Sequence, residues 1–285
     1  IVNSNLLSYF DLNQVKLITI VREKKGVIQL FDKLKMNNSS LIIKNTFNFI
    51  AVSKSVKTDL IKSYNISKEK IKIIYNSIPY FKAVEYDEKT ILNWKTENNI
   101  PLDHFIVGSC GGPIWRKGPD IFLNIINLIK KKYVKEKIFF LWKGGNENNS
   151  WFIEFNHEIE LLGIKDCVKI IPESSNVNYF YNAIDIYLST AREEPFGLTL
   201  LEAGLHGIPC LALEKSGGPE EILSNEVGII LPFGDFYVAA KEIISLKKDS
   251  RRRSKYSNNI KKYSNNNILN QNFKKYKKLI DSFII

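Results

Sequence analysis

From about residue 100 onward, short apolar runs rich in β-branched and aromatic residues recur at 105–109, 138–142, 167–171, 184–188, 208–213 and 227–231. Longer amphipathic stretches separate them. In 119–129, Ile121, Ile125 and Leu128 keep a helical spacing. Strands that alternate with helices specify βαβ units, and βαβ units specify a parallel sheet covered on both faces. Six such strands make a doubly wound, Rossmann-like α/β domain. Such a sheet binds ligands beyond the carboxyl ends of its strands, so the loops that follow the strands are where chemistry is expected.

The first hundred residues are also α/β, with fewer strands. Strands are predicted at 15–21, 47–52 and 71–75. A helix is predicted at 53–64, with Ser53 as N-cap and Val56, Leu60 and Ile61 on one face. A turn at 76–79 and a helical linker at 87–98 lead to Pro101, the entrance to the second domain. The chain thus divides into a partial Rossmann-like domain with its linker (1–100), a second Rossmann-like domain (101–248) and a basic C-terminal segment (249–285). In that segment Tyr256, Ile260 and Tyr263 are spaced 4 and 3, and Leu269, Phe273, Tyr276, Ile280 and Phe283 are spaced 4, 3, 4 and 3. The spacing predicts two amphipathic helices joined at 265–267.

The formal net charge of +11 invites a polyanion partner until it is located. Residues 241–285 hold 13 Lys and Arg against 3 Asp and Glu, and the rest of the chain holds 28 against 27. A nearly neutral body argues against a nucleic-acid groove, and no nucleic-acid partner is expected. Cys110, Cys167 and Cys210 are odd in number and far apart, which argues for buried thiols in a reducing compartment rather than disulfides. The histidines His104, His157 and His206 show no ligand spacing, so no metal site is expected. No apolar run approaches the ~18–20 residues of a membrane-spanning helix. The sequence opens on Ile1 without a signal-peptide pattern and reads as a piece of something longer.

Three loops carry the chemistry. Arg192-Glu193-Glu194-Pro195-Phe196-Gly197-Leu198-Thr199-Leu200-Leu201-Glu202 follows the strand at 184–188 and opens a helix. A helix N-terminus presents N–H groups and a positive dipole end to an anion, and Gly197 allows close approach. Glu194 before the helix and Glu202 about one turn into it can take two sets of hydroxyls, with a phosphate between. Gly111-Gly112-Pro113-Ile114-Trp115-Arg116-Lys117-Gly118 follows the first strand of the second domain; its glycines and cations suit a diphosphate, without the order of a Walker loop. Ser216-Gly217-Gly218-Pro219-Glu220-Glu221 follows the strand at 208–213, and its paired glycines can form a nest of N–H groups for an anion. An ordinary acidic helix start, a basic turn and a tight cap would explain each loop singly. Three at the strand ends of one sheet point to a nucleoside diphosphate sugar.

In these loops the chain resembles the retaining glycosyltransferases of family 4, which have the GT-B fold of two Rossmann-like domains. Residues 49–78 resemble the family segment that closes the N-terminal domain, and 105–246 the donor-binding domain. Glu194 and Glu202 fall on the family's E-x7-E signature, Lys117 on its Lys-Gly loop, and Gly217, Gly218 and Glu221 on its Gly-Gly-x-x-Glu loop.

The resemblance implies transfer of a hexose from a nucleotide diphosphate sugar, with retention and without a metal ion or resident cofactor. The acceptor would be a glycan or lipid-linked molecule of cell-surface polysaccharide synthesis. Lys117 and Arg116 would meet the diphosphate beside Gly111 and Gly112, and Glu194 the sugar hydroxyls beside the backbone of Phe196, Gly197 and Leu198. Thr199 would lie near phosphate or ribose, Glu202 would hold the ribose, and the base would pack near Ile171, Pro172 and Glu173. The terminal helices would pack back toward the N-terminal domain. Their Lys face would be solvated or meet an anionic membrane surface from the cytoplasmic side. A nucleotide-sugar-binding protein without transferase activity, or an epimerase of the same fold, is the other reading.

Two positions depart from the family pattern. Where relatives carry Arg five positions before the loop Lys, this chain has Gly112, leaving the adjacent Arg116 as the candidate. Where many carry His after an N-domain strand, it has Arg22 followed by Glu23. With only three or four strands before Pro101, weak or no transferase activity is expected of residues 1–285 alone.

Overall fold

A computed structural model describes residues 7, 11, 16–35, 38–78, 81–173, 176–267 and 270–282. Among these residues the strands fall into two parallel sheets. β1 (Leu17–Val21), β2 (Thr46–Ala51) and β3 (Ile71–Ile73) form the first, in that order. β4 (Phe105–Cys110), β5 (Ile138–Lys143), β6 (Val168–Ile171), β7 (Ile186–Ser189), β8 (Cys210–Leu213) and β9 (Ile229–Leu231) form the second, in the order β6-β5-β4-β7-β8-β9. The chain leaves β4 toward one edge, returns, and leaves β7 toward the other. The crevice between β4 and β7 is therefore the switch point at which a doubly wound sheet takes its ligand.

All six predicted strands of the second sheet are present; β4 and β5 start where predicted, and the other four start one or two residues later. β7 begins two residues late because Asp185 turns back, its carboxylate accepting the Ile106 N–H at 2.7 Å. β8 begins at Cys210 because Ile208 N–H still closes the preceding helix on Ala203 O and Pro209 has no N–H to give. In the first sheet, β3 stops at Ile73, short of the predicted Tyr75, whose ring turns away to stack on Phe196. The predicted helix at 53–64 is Lys54–Tyr64, with the Ser53 hydroxyl capping the Val56 N–H. Helices Lys25–Lys33 and Ser39–Asn45 have no counterpart in the sequence reading. Of the residues of the predicted first strand, Val15 lies outside the described residues.

β5 is buried along its whole length, as expected of a central parallel strand with helices on both sides. Phe122, Phe140, Trp142 and Phe155 meet edge to face on one side. On the other, Ile106, Leu141, Tyr181, Tyr187 and Leu200 continue into Phe49 of β2, Val52 just after it and Val56 of the next helix, so both sheets share one apolar cluster. The thiols are free; burial pushes Cys110 up to about 12, Cys167 to about 11, and Cys210 up as well.

The basic segment is partly spent on the body. Helix Ser250–Asn266 buries Ile260 against helix Leu198–Leu205, where a Cβ on Gly204 would stand 2.1 Å from Ser264 Oγ. Just before helix Ser250–Asn266, Lys247 and Lys248 pair with Glu136, and within it Arg252 pairs with Glu242, Lys255 with Glu226 and Lys261 with Glu85. Helix Asn270–Asp281 reaches the end of β1, where Arg22 faces the half-buried phenol of Tyr276. Leu269 and Phe283 of the predicted stripe, with the side chains of Phe273 and Ile280, lie outside the described residues. No helix among the described residues is long and apolar enough to cross a membrane.

Candidate functional site

The loops after β4 and β7 are stitched together. After β4 the chain makes a single tight turn, Trp115–Lys117. It passes through Gly118 at φ 65° and enters helix Pro119–Lys132 with Pro119 in its first turn. Arg116 O accepts the N–H groups of Arg192 and Glu193, and Thr190 Oγ1 donates to Lys117 O at 3.1 Å. Arg192 forks onto Asp120 and lies over the Trp115 ring. These bonds bring Lys117 Nζ to 2.5 Å from Glu194 Oε2, with the two side chains 14% and 13% exposed.

Glu194 is held from behind as well. Its N–H donates to Ser216 O at 2.8 Å, and its carbonyl accepts the Gly218 N–H at 2.9 Å. Gly217 and Gly218 make that approach possible: a Cβ on Gly218 would lie 2.3 Å from Phe196 Cα. Of the N–H groups expected to form an anion nest here, that of Gly218 is bonded to Glu194 O. The Glu221 carboxylate accepts the Lys54 and Ser55 N–H groups of the helix that follows β2.

Gly197, at φ 105°, opens helix Leu198–Leu205, whose positive end faces the same space. Two wholly buried tyrosines orient its polar residues. Tyr187 donates to Thr199 Oγ1 at 2.9 Å, and Tyr181 to Glu202 Oε2 at 2.7 Å. Burial raises the Glu202 carboxyl above its ordinary 4.5, against the pull of the Tyr181 hydroxyl and Lys117. A raised carboxyl binds more protons in the fold than in the unfolded chain, so its contribution to stability falls as pH rises from 4.5 through the raised value. Glu202→Gln is expected to remove that slope. Urea titrations of both proteins between about pH 4 and 7 check it: the variant should gain on the wild type as pH rises, and parallel curves would refute the assignment.

Two cavities flank Lys117. The first, about 260 Å³, is lined by Arg116, Lys117 and 194–199 on one side and by Arg22, Glu23 and Asn76 of the first sheet's domain on the other. Burial raises the Glu23 carboxyl while Arg116 opposes the shift. The second, about 370 Å³, is lined by Cys110, Gly111, Gly112, Lys143, Gly144, Gly145, Asn146 and Glu173, among others. Gly111 packs on the Lys117 stem. Of the predicted base segment, Glu173 reaches this cavity, while Ile171 is buried at the end of β6 and Pro172 O accepts from Lys143 Nζ. The sequence reading missed Lys143-Gly144-Gly145-Asn146, although a glycine pair after a strand was the signal it used at 217–218. It also missed Asn76, and gave Glu23 no role, since no local motif marks either.

The chain resembles known proteins in sequence and in fold. The Staphylococcus aureus capsular polysaccharide biosynthesis glycosyltransferase CapM is 24% identical over 265 residues, covering 92% of this chain and 66% of that protein. The Bacillus anthracis N-acetyl-alpha-D-glucosaminyl L-malate synthase is 27% identical over 249 residues, covering 86% and 54%. The chain thus spans between half and two thirds of the length of these relatives. Among solved structures, Anabaena Alr3699/HepE in complex with UDP-glucose superposes with a TM-score of 0.78 at 18% identity, over 94% of this chain and 72% of that one. WaaG, a glycosyltransferase involved in lipopolysaccharide biosynthesis, superposes with a TM-score of 0.72 at 17% identity, over 92% and 76%. These likenesses establish the GT-B fold. The family of glycosyl transferases group 1 matches residues 90–263, the span that carries Lys117, Glu194 and Glu202, and the chain belongs to that family.

Proposed function

We propose that this chain carries the donor site of a retaining, family 4 hexosyltransferase that moves a hexose from a nucleotide diphosphate sugar to a glycan or lipid-linked acceptor in cell-surface polysaccharide synthesis. The observation that carries the reading is the Lys117–Glu194 pair at the opening of helix Leu198–Leu205, in the crevice between β4 and β7. The neighbour HepE holds UDP-glucose, which supports a nucleotide-sugar donor here.

In this reading the diphosphate takes the place of the Glu194 carboxylate on Lys117, with Arg116 and the helix N-terminus sharing its charge. Glu194, released from Lys117, accepts hydrogen bonds from the hexose hydroxyls. The anomeric carbon–oxygen bond to the diphosphate breaks and a bond to the acceptor oxygen forms on the same face. The acceptor's proton leaves with the diphosphate. Fixed cations facing the leaving oxygen stabilise charge where it develops, and such preorganised electrostatics commonly lower a barrier more than any other effect. Glu202, held by Tyr181, takes the ribose, and the cavity at 143–146 takes the base. The setting is the cytoplasmic face of a membrane. There the exposed Lys274, Lys275, Lys277 and Lys278 meet anionic lipid; equal sedimentation with anionic and neutral vesicles would overturn that contact.

A panel of UDP, GDP, ADP and dTDP sugars in thermal denaturation tests the donor site. A donor at a hundred times its Kd is expected to add about 2.7 kcal/mol of stability by mass action. A panel in which no nucleotide raises the melting temperature would refute the reading. Product analysis with labelled donor then separates a transferase, which needs an acceptor, from an epimerase, which does not.

A further inference from the structure

The first amides of any helix need acceptors from outside it. At helix Lys54–Tyr64, Ser53 meets one of them, accepting the Val56 N–H at 3.0 Å. The two before it are met across the domain boundary. Glu221 Oε2 accepts the Lys54 N–H at 3.1 Å and Oε1 accepts the Ser55 N–H at 3.0 Å. Tyr75, just beyond β3, donates its hydroxyl to Glu221 Oε2 at 3.2 Å. Burial and the carboxylate beside it push the Tyr75 phenol up to about 12, so it remains a donor through the neutral range. One carboxylate of the donor domain therefore receives three donors, all from the N-terminal domain.

The other end of this contact leads to the cleft. Glu221 lies in the short helix Gly218–Leu223. The start of that helix is bonded to Glu194, which pairs through its backbone with Gly217 and accepts the Gly218 N–H. The Tyr75 ring, besides bonding Glu221, stacks on Phe196 with centroids 5.6 Å apart and planes 26° from parallel. Two routes thus run from the N-terminal domain to the 194–196 segment, one through Glu221 and Gly218 and one through the Tyr75–Phe196 stack. The Glu194 carboxylate at the end of both meets Lys117.

We propose that Glu221 is a positioning residue, an interdomain clasp that fixes the N-terminal domain against the donor domain and thereby sets Glu194 for the sugar. The clasp stands on the bonds above. Its consequence for the sugar rests on the reading of the cleft as a nucleotide-sugar site.

The test uses the 285-residue chain and its Glu221→Ala, Glu221→Gln and Tyr75→Phe variants. Hydrogen exchange is read at the Lys54 and Ser55 amides, and calorimetry measures affinity for UDP and UDP-glucose. Glu221→Ala is expected to speed exchange at both amides about five- to thirtyfold, as loss of a helix cap does. Affinity for UDP-glucose is expected to fall about tenfold, with UDP held within twofold, because a displaced Glu194 loses only sugar contacts. Glu221→Gln keeps one acceptor oxygen and falls between, which separates lost capping from misfolding. Tyr75→Phe keeps the ring stack and gives the same comparison if the alanine variant does not fold. Unchanged exchange at Lys54 and Ser55 would overturn the clasp. Faster exchange with an unchanged ratio of UDP-glucose to UDP affinity would overturn the link to Glu194. A wild-type chain that binds neither nucleotide would overturn the UDP-sugar reading of the cleft, and the exchange measurement alone would still decide the clasp.

Discussion

Lys117→Ala is expected to weaken UDP binding about a hundredfold in calorimetry, a loss near 3 kcal/mol. Two effects add. The diphosphate loses a charge-assisted hydrogen bond, worth about 1.5–3 kcal/mol. Glu194 is then left without its cation in a place only 13% exposed, with an anion arriving beside it. The cost of the unpaired carboxylate falls on the stability of the free chain, so only its repulsion of the arriving anion adds to the loss of affinity. Glu194→Gln separates the two effects. It removes the carboxylate and leaves Lys117 for the phosphate, so UDP affinity should hold or rise while UDP-glucose loses its advantage over UDP. Lys117→Arg keeps the charge but not the compact head, and should fall between wild type and alanine. If Lys117→Ala bound UDP within threefold of the wild type, Lys117 would not be the diphosphate contact.

What the sequence made legible and what it hid have a common physical cause. A parallel sheet is written locally, as apolar runs separated by amphipathic helices, so β4 to β9 can be found without knowing their partners. Loops after strands are also local, which is why Lys117, Glu194 and Glu202 could be named from their loops and the family resemblance these carry, and the strand order brings those loops to one crevice. The hidden features depend on contacts between distant segments. Gly217 and Gly218 read as an anion nest because paired glycines follow a strand; the fold gives the Gly218 N–H an acceptor in Glu194 O. Glu221 looked like part of the donor loop, but its three donors lie near residues 54 and 75. Glu23 and Asn76 reach the cleft only because the N-terminal domain faces it. The strand boundaries moved for similar reasons: Asp185 and Tyr75 are each drawn out of register by a partner far away in sequence. The charge of the last 45 residues is a further case. Composition located it, and the structure spends Lys247, Lys248, Arg252, Lys255 and Lys261 on carboxylates outside the helix pair or at its root.

Gly118→Ala is expected to destabilise the chain by about 3 kcal/mol or more, enough to lower its melting temperature by about 6–12 °C. Gly118 is the hinge between Lys117 and helix Pro119–Lys132, and it holds φ 65° and ψ 47°. An L-residue pays roughly 1–2 kcal/mol for that left-handed conformation. The larger cost is steric. A Cβ there would stand 2.1 Å from Thr190 O and 3.0 Å from its carbonyl carbon. The obstacle is backbone at the end of β7, not the tip of a movable side chain, so the β4 and β7 loops must separate. Separation breaks the Thr190 Oγ1 bond to Lys117 O and strains the two bonds to Arg116 O, so Lys117 moves away from Glu194 and UDP affinity falls together with stability. Gly112→Ala is the matched control in the same loop. A Cβ on Gly112 meets nothing within 4 Å and its φ is outside the left-handed region, so the change should stay within about 0.5 kcal/mol. Thermal denaturation of the two variants side by side, with and without UDP, decides the matter. Equal melting temperatures would mean that the loops after β4 and β7 are not locked at Gly118, and that the Lys117–Glu194 pair depends on some other contact for its geometry.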